Sequence, residues 1–146
     1  IEIKETKNIL LEYGQNLTRH IVRIEGPEFI SVGLTLHNKD GETTTNKAER
    51  WMSYWEPYFD SELGQGIIVT DKFLLDSFDK YEVDAKDQSN LYAQLRVNGD
   101  LIDYYAGFGW KKSGQFNSKE EWNNYISRFS KCLDNPLKVT FNKTIK

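Results

Sequence analysis

The stretch 91-LYAQLRVNGDLIDYYAGFGW-110 carries the clearest structural signal in the chain. Polarity alternates on both sides of Asn98-Gly99, a dipeptide favoured in two-residue hairpin turns because both positions tolerate positive φ. A hairpin closed there sets Val97 opposite Asp100, Leu95 opposite Ile102 and Ala93 opposite Tyr104. One face is then Leu91, Ala93, Leu95, Ile102 and Tyr104, suited to a core. The other carries Tyr92, Gln94, Arg96, Asp103 and Tyr105, with Tyr92 against Tyr105 at cross-strand range. Beyond the hairpin, Tyr104, Tyr105, Phe108, Trp110 and Phe116 cluster around Gly107, Gly109 and Gly114, which suits either core packing at a strand end or a platform for a flat, hydroxyl-rich ligand such as a sugar.

The rest of the chain extends this β pattern. In "EFISVGLTLH", Ile30, Val32, Leu34 and Leu36 share one face, as in a half-buried strand. "TRHIVRI" puts His20, Val22 and Ile24 together, and Gly26-Pro27 supplies a turn between these runs. "HNKDGETTTNKAE" reads as a polar loop, "RWMSYWE" as an aromatic strand, and "GQGIIV" and "KYEVD" as further short runs. In the aromatic strand Trp51, Ser53 and Trp55 face one way and Met52, Tyr54 and Glu56 the other. Both faces cannot belong to one core layer. Either the strand lies between two packed layers or one aromatic set is exposed for a partner.

One helix is expected. Ser118 opens "SKEEWNNYISRFSKCL" with Glu121 three residues on, the capping-box pattern, and Trp122, Tyr125, Ile126, Phe129 and Leu133 form an apolar face. Asn135-Pro136 ends it, and "LKVTF" reads as a closing strand. The fold class is therefore mainly β, an antiparallel β-sandwich with one C-terminal helix, in a single domain over residues 1–146.

Composition narrows the function classes. With 19 Lys and Arg against 22 Asp and Glu, the net charge of −3 argues against a general nucleic-acid binder. No run approaches the length of a membrane-spanning helix. "IEIKETKNIL" does not have the form of a signal peptide. The single Cys132 excludes an internal disulfide and is expected as a buried structural thiol, and two histidines leave little material for a zinc centre. No nucleotide loop, dinucleotide fingerprint or nucleophile elbow occurs, so no cofactor or metal is expected.

Candidate site residues come from rings, cations and proton carriers. His20 shares a face with Val22 and Ile24, where a packed histidine is the ordinary reading and a catalytic base the sharper one. His37 falls at a strand end facing a loop, at a rim where sites often lie. Trp55, Tyr92, Tyr105 and Trp110 offer apolar faces with polar edges, suited to sugar rings. Arg96 suits a uronate or sulfate through charge-assisted hydrogen bonds, and Lys111 and Lys112 add positive charge beside Trp110.

"LTRHIVRI", "VGLTLH", "WMSYWEPYFDSELGQGIIV" and "YYAGFGWKKSGQFNSKEEWNNYISRFSKCLDNPLKV" together resemble a family of secreted bacterial proteins of unknown function, encoded among genes for pectic and algal (ulvan) polysaccharide breakdown. The resemblance implies a galactose-mutarotase-type β-supersandwich, of which this chain matches the C-terminal part, with Gly107 and Gly109 letting the backbone turn at the sheet rim, Tyr105 on the concave side and Trp110 flanking the ligand groove. It implies a periplasmic or extracellular location and an N-terminal segment or second chain that completes the sandwich. No catalytic residue carries over from the family. Three readings follow: a lyase or dehydratase acting by β-elimination on uronic-acid-containing oligosaccharides, a non-catalytic carbohydrate-binding module, or a structural half-sandwich. For the enzyme, His20, His37, Tyr54 and Tyr105 are the candidate proton carriers, with Trp55, Tyr92, Arg96, Trp110 and Lys111 as ligand contacts.

Overall fold

Residues 91–97 alternate as the sequence demands, yet the two strands around Asn98-Gly99 part company at the turn. The computed structural model describes residues 2–71 and 74–141. Among these, β1 (Lys4–Leu10), β2 (Leu17–Glu25), β4 (Glu42–Asn46), β5 (Trp51–Tyr58), β6 (Ser61–Val69) and β9 (Leu101–Trp110) form a six-stranded sheet in the order β1-β2-β9-β6-β5-β4. A three-stranded sheet, β3-β8-β7, is built from β3 (Phe29–Thr35), β7 (Leu75–Tyr81) and β8 (Asn90–Arg96). All pairings are antiparallel. The fold is a β-sandwich with one helix, α1 (Lys119–Asp134), packed on the outside of the large sheet.

The expected hairpin is therefore corrected. Asn98 pairs with Leu101 in an isolated bridge, Gly99 takes φ +72°, and there the ladder stops. β8 pairs with β3 and β7, while β9 pairs with β2 and β6. Each thus becomes a central strand with both backbone edges satisfied, which a lone hairpin cannot offer. Leu95 and Ile102, both 0% exposed, are core residues of the two different sheets. The polar sides consequently diverge. Tyr92 and Gln94 lie on the outer face of the small sheet opposite Gly33 and Ser31, while Asp103 and Tyr105 face away from the inter-sheet core on β9.

Two apolar layers hold the large sheet. Inside, Val22, Ile24, Met52, Tyr54, Ile67, Val69 and Ile102 pack with Leu34, Leu91, Ala93 and Leu95 of the small sheet. Outside, Trp51, Trp55 and Ile68 pack with Phe116, Trp122 and Ile126. β5 thus lies between two packed layers, the first of the two alternatives its sequence leaves open.

The N-cap half of the expected capping box forms, the Ser118 hydroxyl accepting from the Glu121 N–H at 3.3 Å, while the Glu121 carboxylate reaches one residue further back and accepts from the Asn117 N–H at 2.7 Å. Gly109 lies within β9 and does not turn the chain. A Cβ there would stand 2.5 Å from the Phe116 ring, so glycine at this position serves close packing beneath α1.

Four further expectations change. The polar loop after His37 contains strand β4, whose Thr-rich sequence suits pairing with β5. "KYEVD" contributes only the end of β7. Cys132 is exposed, because the buried positions of α1 are Trp122, Ile126 and Ser130 and Cys132 turns away from that stripe. Residues 137–141 form no strand: Leu137, Val139 and Phe141 remain exposed, and alternation without a pairing edge does not make a ladder.

Candidate functional site

Three strands cannot cover six. Past the small sheet, β5, β6 and β9 continue with inward-facing side chains that no second layer covers fully. Register sets Glu56 beside Leu63, Gln65 beside Phe108, and Leu63 beside Trp110. His37, just after β3, closes this end of the sandwich by reaching Glu56.

Glu56 is the unusual member. Its side chain is 1% exposed, and its Oε1 lies 2.7 Å from Gln65 Nε2 and 2.7 Å from His37 Nδ1. Burial pushes the carboxyl pKa up, while the hydrogen bonds from His37 and Gln65 pull it back. An amide nitrogen only donates, so Oε1 accepts from Gln65, and with Glu56 ionised His37 Nδ1–H donates to the same atom. A neutral His37 in that arrangement carries its lone pair on Nε2. The His37 side chain is 39% exposed, so a partly open base rests on a buried carboxyl.

A cleft of about 300 Å³ opens beside this pair, lined by His37, Asn38, Glu56, Tyr58, Phe59 and Lys86 among others. Lys86 makes no ion pair among the described residues. Tyr58 also borders a second hollow of about 300 Å³, walled by Leu63, Phe108 and Trp110. Phe108 is 61% and Trp110 38% exposed, which leaves ring faces free for stacking. The Lys112 ammonium lies 5.9 Å from the Trp110 ring and 2.5 Å from Asp60.

Backbone strain gathers at the same end. Phe59 and Asp87, both lining the cleft, have φ of 53° and 59°, and Lys39, two residues past His37, has 62°. Left-handed conformations are costly for side chains such as phenylalanine and tend to mark functional loops.

The site contains His37 and Trp110 from the sequence-derived candidates, has Tyr54 buried behind Glu56, and leaves the others elsewhere. Tyr54 is 1% exposed in the inter-sheet core beside Glu56, where its hydroxyl accepts from the Gly41 N–H at 3.1 Å; burial, with the Glu56 carboxyl adding to it, raises its pKa. Trp55 lies under α1 with its indole N–H on Glu62 at 3.1 Å. Tyr105 packs edge-on against Phe129 on the helix side, so it does not face the concave side. Lys111 pairs with Glu62. His20 stacks on Tyr104 at 4.9 Å on β2, and burial, with Lys7, lowers its pKa. Tyr92 lies over Gly33, and Arg96 pairs with Glu28 at 3.0 Å and covers the Phe29 ring. Tyr92, Arg96 and Tyr105 therefore do not share a face.

Glu56, Gln65, Tyr58, Phe108 and Lys86 are not among the candidate site residues drawn from the sequence. The signal for Glu56 was a carboxylate in step with Met52 and Tyr54 on an apolar strand face, where only a partnered acid is tolerated. Among the described residues no cluster of three His, Cys, Asp or Glu side chains could hold a metal ion, and no helix is long and apolar enough to cross a membrane.

The sequence profile of a domain of unknown function, DUF4861, matches residues 1–139. The chain belongs to the DUF4861 family. It is 47% identical over 139 residues to "Uncharacterized protein P7" of Formosa agariphila, a match that covers 94% of this chain and 35% of that relative. The chain thus spans about a third of the length of the curated relative it matches. No solved structure matches it significantly.

Proposed function

We propose that the groove between His37 and Trp110 binds a uronic-acid-containing oligosaccharide and that His37 is the proton acceptor for β-elimination. The observation that carries this reading is the His37–Glu56–Gln65 cluster opening into a cleft that shares Tyr58 with an exposed aromatic hollow. His37 Nε2 takes the proton α to the sugar carboxylate. The electron pair released forms the C=C bond as the bond from the β-carbon to the glycosidic oxygen breaks, and that oxygen takes a proton from solvent. Lys86 offsets the negative charge that grows on the carboxylate, and Tyr58, Phe108 and Trp110 stack on neighbouring sugar rings. Glu56 holds the His37 tautomer and stabilises the imidazolium after proton transfer.

On this reading the protein works outside the cytoplasm on pectic or ulvan-type chains, as the C-terminal part of a larger supersandwich of the mutarotase type. A large sheet that outreaches its small partner supports the second point. The exposed ring surface favours a second reading, a binding module without turnover, which needs the rings but not the base.

Incubation with pectic and ulvan-derived oligosaccharides tests both readings. Ultraviolet absorbance of an unsaturated product is expected from the unaltered chain and is expected to fall roughly 10²–10⁴-fold in His37→Ala, the range typical of a lost general base. Binding without product in either protein assigns the module reading. Equal turnover by His37→Ala removes the base from this cleft.

A further inference from the structure

β1 pairs with β2 along its whole length, from Lys4↔Glu25 to Leu10↔Arg19, and no strand joins its other side among the described residues. All seven of its residues are exposed. A free edge of this kind offers unpaired N–H and C=O groups to another strand, and proteins usually blunt it with proline, a bulge, lysines or inward-pointing charges. β1 has no proline and no register shift against β2, and its inward charges, Glu5 and Lys7, are of opposite sign, so they repel a strand of like charge but not one that sets acid against base.

Its charges also suit self-pairing. Glu5, Lys7 and Ile9 follow one another on the inner side, in step with Ile24, Val22 and His20 of β2, and Ile3 continues their alternation just before the strand begins. Laid antiparallel on a second copy with the two-fold axis at Thr6, this row sets Ile3 against Ile9 and Glu5 against Lys7. The same contacts repeat in reverse across the axis. Acid meets base and aliphatic meets aliphatic at every inner position. On the other side Lys4 meets Asn8 and Thr6 meets its own copy. An axis at Lys7 would oppose two lysines, and one at Glu5 two carboxylates. An axis at Asn8 would leave Lys7 facing Ile9.

Ile3 and Ile9 are 57% and 61% exposed in the single chain, so pairing removes apolar surface from water at both ends of the row. Within one chain Glu5 and Lys7 already lie 3.2 Å apart, and across the axis both keep a partner of opposite charge.

We propose that two copies of this chain associate edge to edge through β1 with the two-fold axis at Thr6, merging their six-stranded sheets into one. The concave faces then form one surface, with both His37 grooves opening on the same side.

Sedimentation velocity over a concentration series at low salt tests this, with circular dichroism to confirm folding. The chain is expected to dimerise reversibly and to dissociate more readily at high salt, because the pairs are exposed. Lys7→Glu opposes acid to acid at two symmetric positions and is expected to raise the dissociation constant at least about tenfold. Combining Glu5→Lys with Lys7→Glu restores opposite charges and is expected to restore the dimer. A folded chain that stays monomeric throughout overturns the proposal, as does a dimer indifferent to Lys7→Glu or a folded double variant that remains monomeric. A longer form of the protein that is monomeric, with β1 amides protected from hydrogen exchange, assigns the edge to another segment and also overturns it.

Discussion

On β5, Trp51, Ser53 and Trp55 lie beneath α1, while Met52, Tyr54 and Glu56 point into the sandwich. Under the helix the rings are consumed by packing. Trp122 is 0% exposed, meets Phe116 edge-on at 5.1 Å, and donates its indole N–H to the Gln65 carbonyl at 3.1 Å. On the inner face the small sheet stops short, and Tyr58, Phe108 and Trp110 keep much of their surface in water. Gln65 touches both worlds, with its carbonyl on the helix side and its amide on Glu56. A closed aromatic layer thus supports an open one, which is how a rigid sheet can hold a polar site at fixed geometry.

The largest effect is expected where the closed face is emptied. Trp122→Ala removes the biggest buried side chain beneath α1 and is expected to cost about 3–5 kcal/mol. Urea denaturation measures this. A loss below about 1 kcal/mol would mean that the helix layer is as dispensable as surface structure.

Overfilling the same face comes next. A Cβ at Gly64 would stand 2.7 Å from both the Trp122 and Trp55 rings, neither of which can retreat within its layer. Gly64→Ala is expected to cost about 1–3 kcal/mol through overpacking. If thermal unfolding is unchanged, the indoles are less tightly held than the geometry requires.

The closed face also has an acid-sensitive anchor. Glu49 receives hydrogen bonds from Ser127 and the Trp51 indole and pairs with Lys131 at 3.0 Å, and these contacts lower its pKa from 4.5 to about 2. The folded value lies below the unfolded one, so its contribution is fully present above about pH 4.5 and is lost as the pH falls through about 2. Glu49→Gln is expected to cost about 1–2 kcal/mol at neutral pH and to flatten the stability profile in that window. An unchanged acid limb would place the anchor elsewhere.

The closed face was the more legible of the two in the sequence, for a physical reason. Helical spacing of Trp122, Tyr125, Ile126 and Phe129, together with the Ser118 cap, are local signals, and they produced the observed helix. Strand faces were legible too: Leu91, Ala93, Leu95 and Ile102 all entered the core. Strand partners were not. The turn at Asn98-Gly99 is genuine, but pairing is decided by which edges elsewhere remain unsatisfied, and that competition leaves no trace in residues 91–104. β1, charged and wholly exposed, and the Thr-rich β4 lacked the apolar alternation that identifies a strand. The site suffered most, because it depends on where the small sheet ends. His37 and Trp110 were visible as residue types at a rim. Glu56, Gln65 and Lys86 reach the same cleft only through sheet register and loop placement.

The smallest stability change is expected on the open face, and there it becomes the most informative. Trp110 is 38% exposed and borders the hollow shared by Tyr58, Leu63 and Phe108. Trp110→Ala is expected to shift stability by no more than about 0.5–1 kcal/mol, against several for Trp122→Ala. If the open rings serve a ligand, the same change weakens binding of an acidic oligosaccharide by about 0.5–1.5 kcal/mol, the worth of one stacked ring pair. Calorimetric titration and urea denaturation of one protein separate the two quantities. Weaker binding with stability intact marks a surface kept open for a ligand. A large loss of stability with binding unchanged would mean that Trp110 belongs to the packed layer, and that the two faces of the sheet differ less than their exposure indicates.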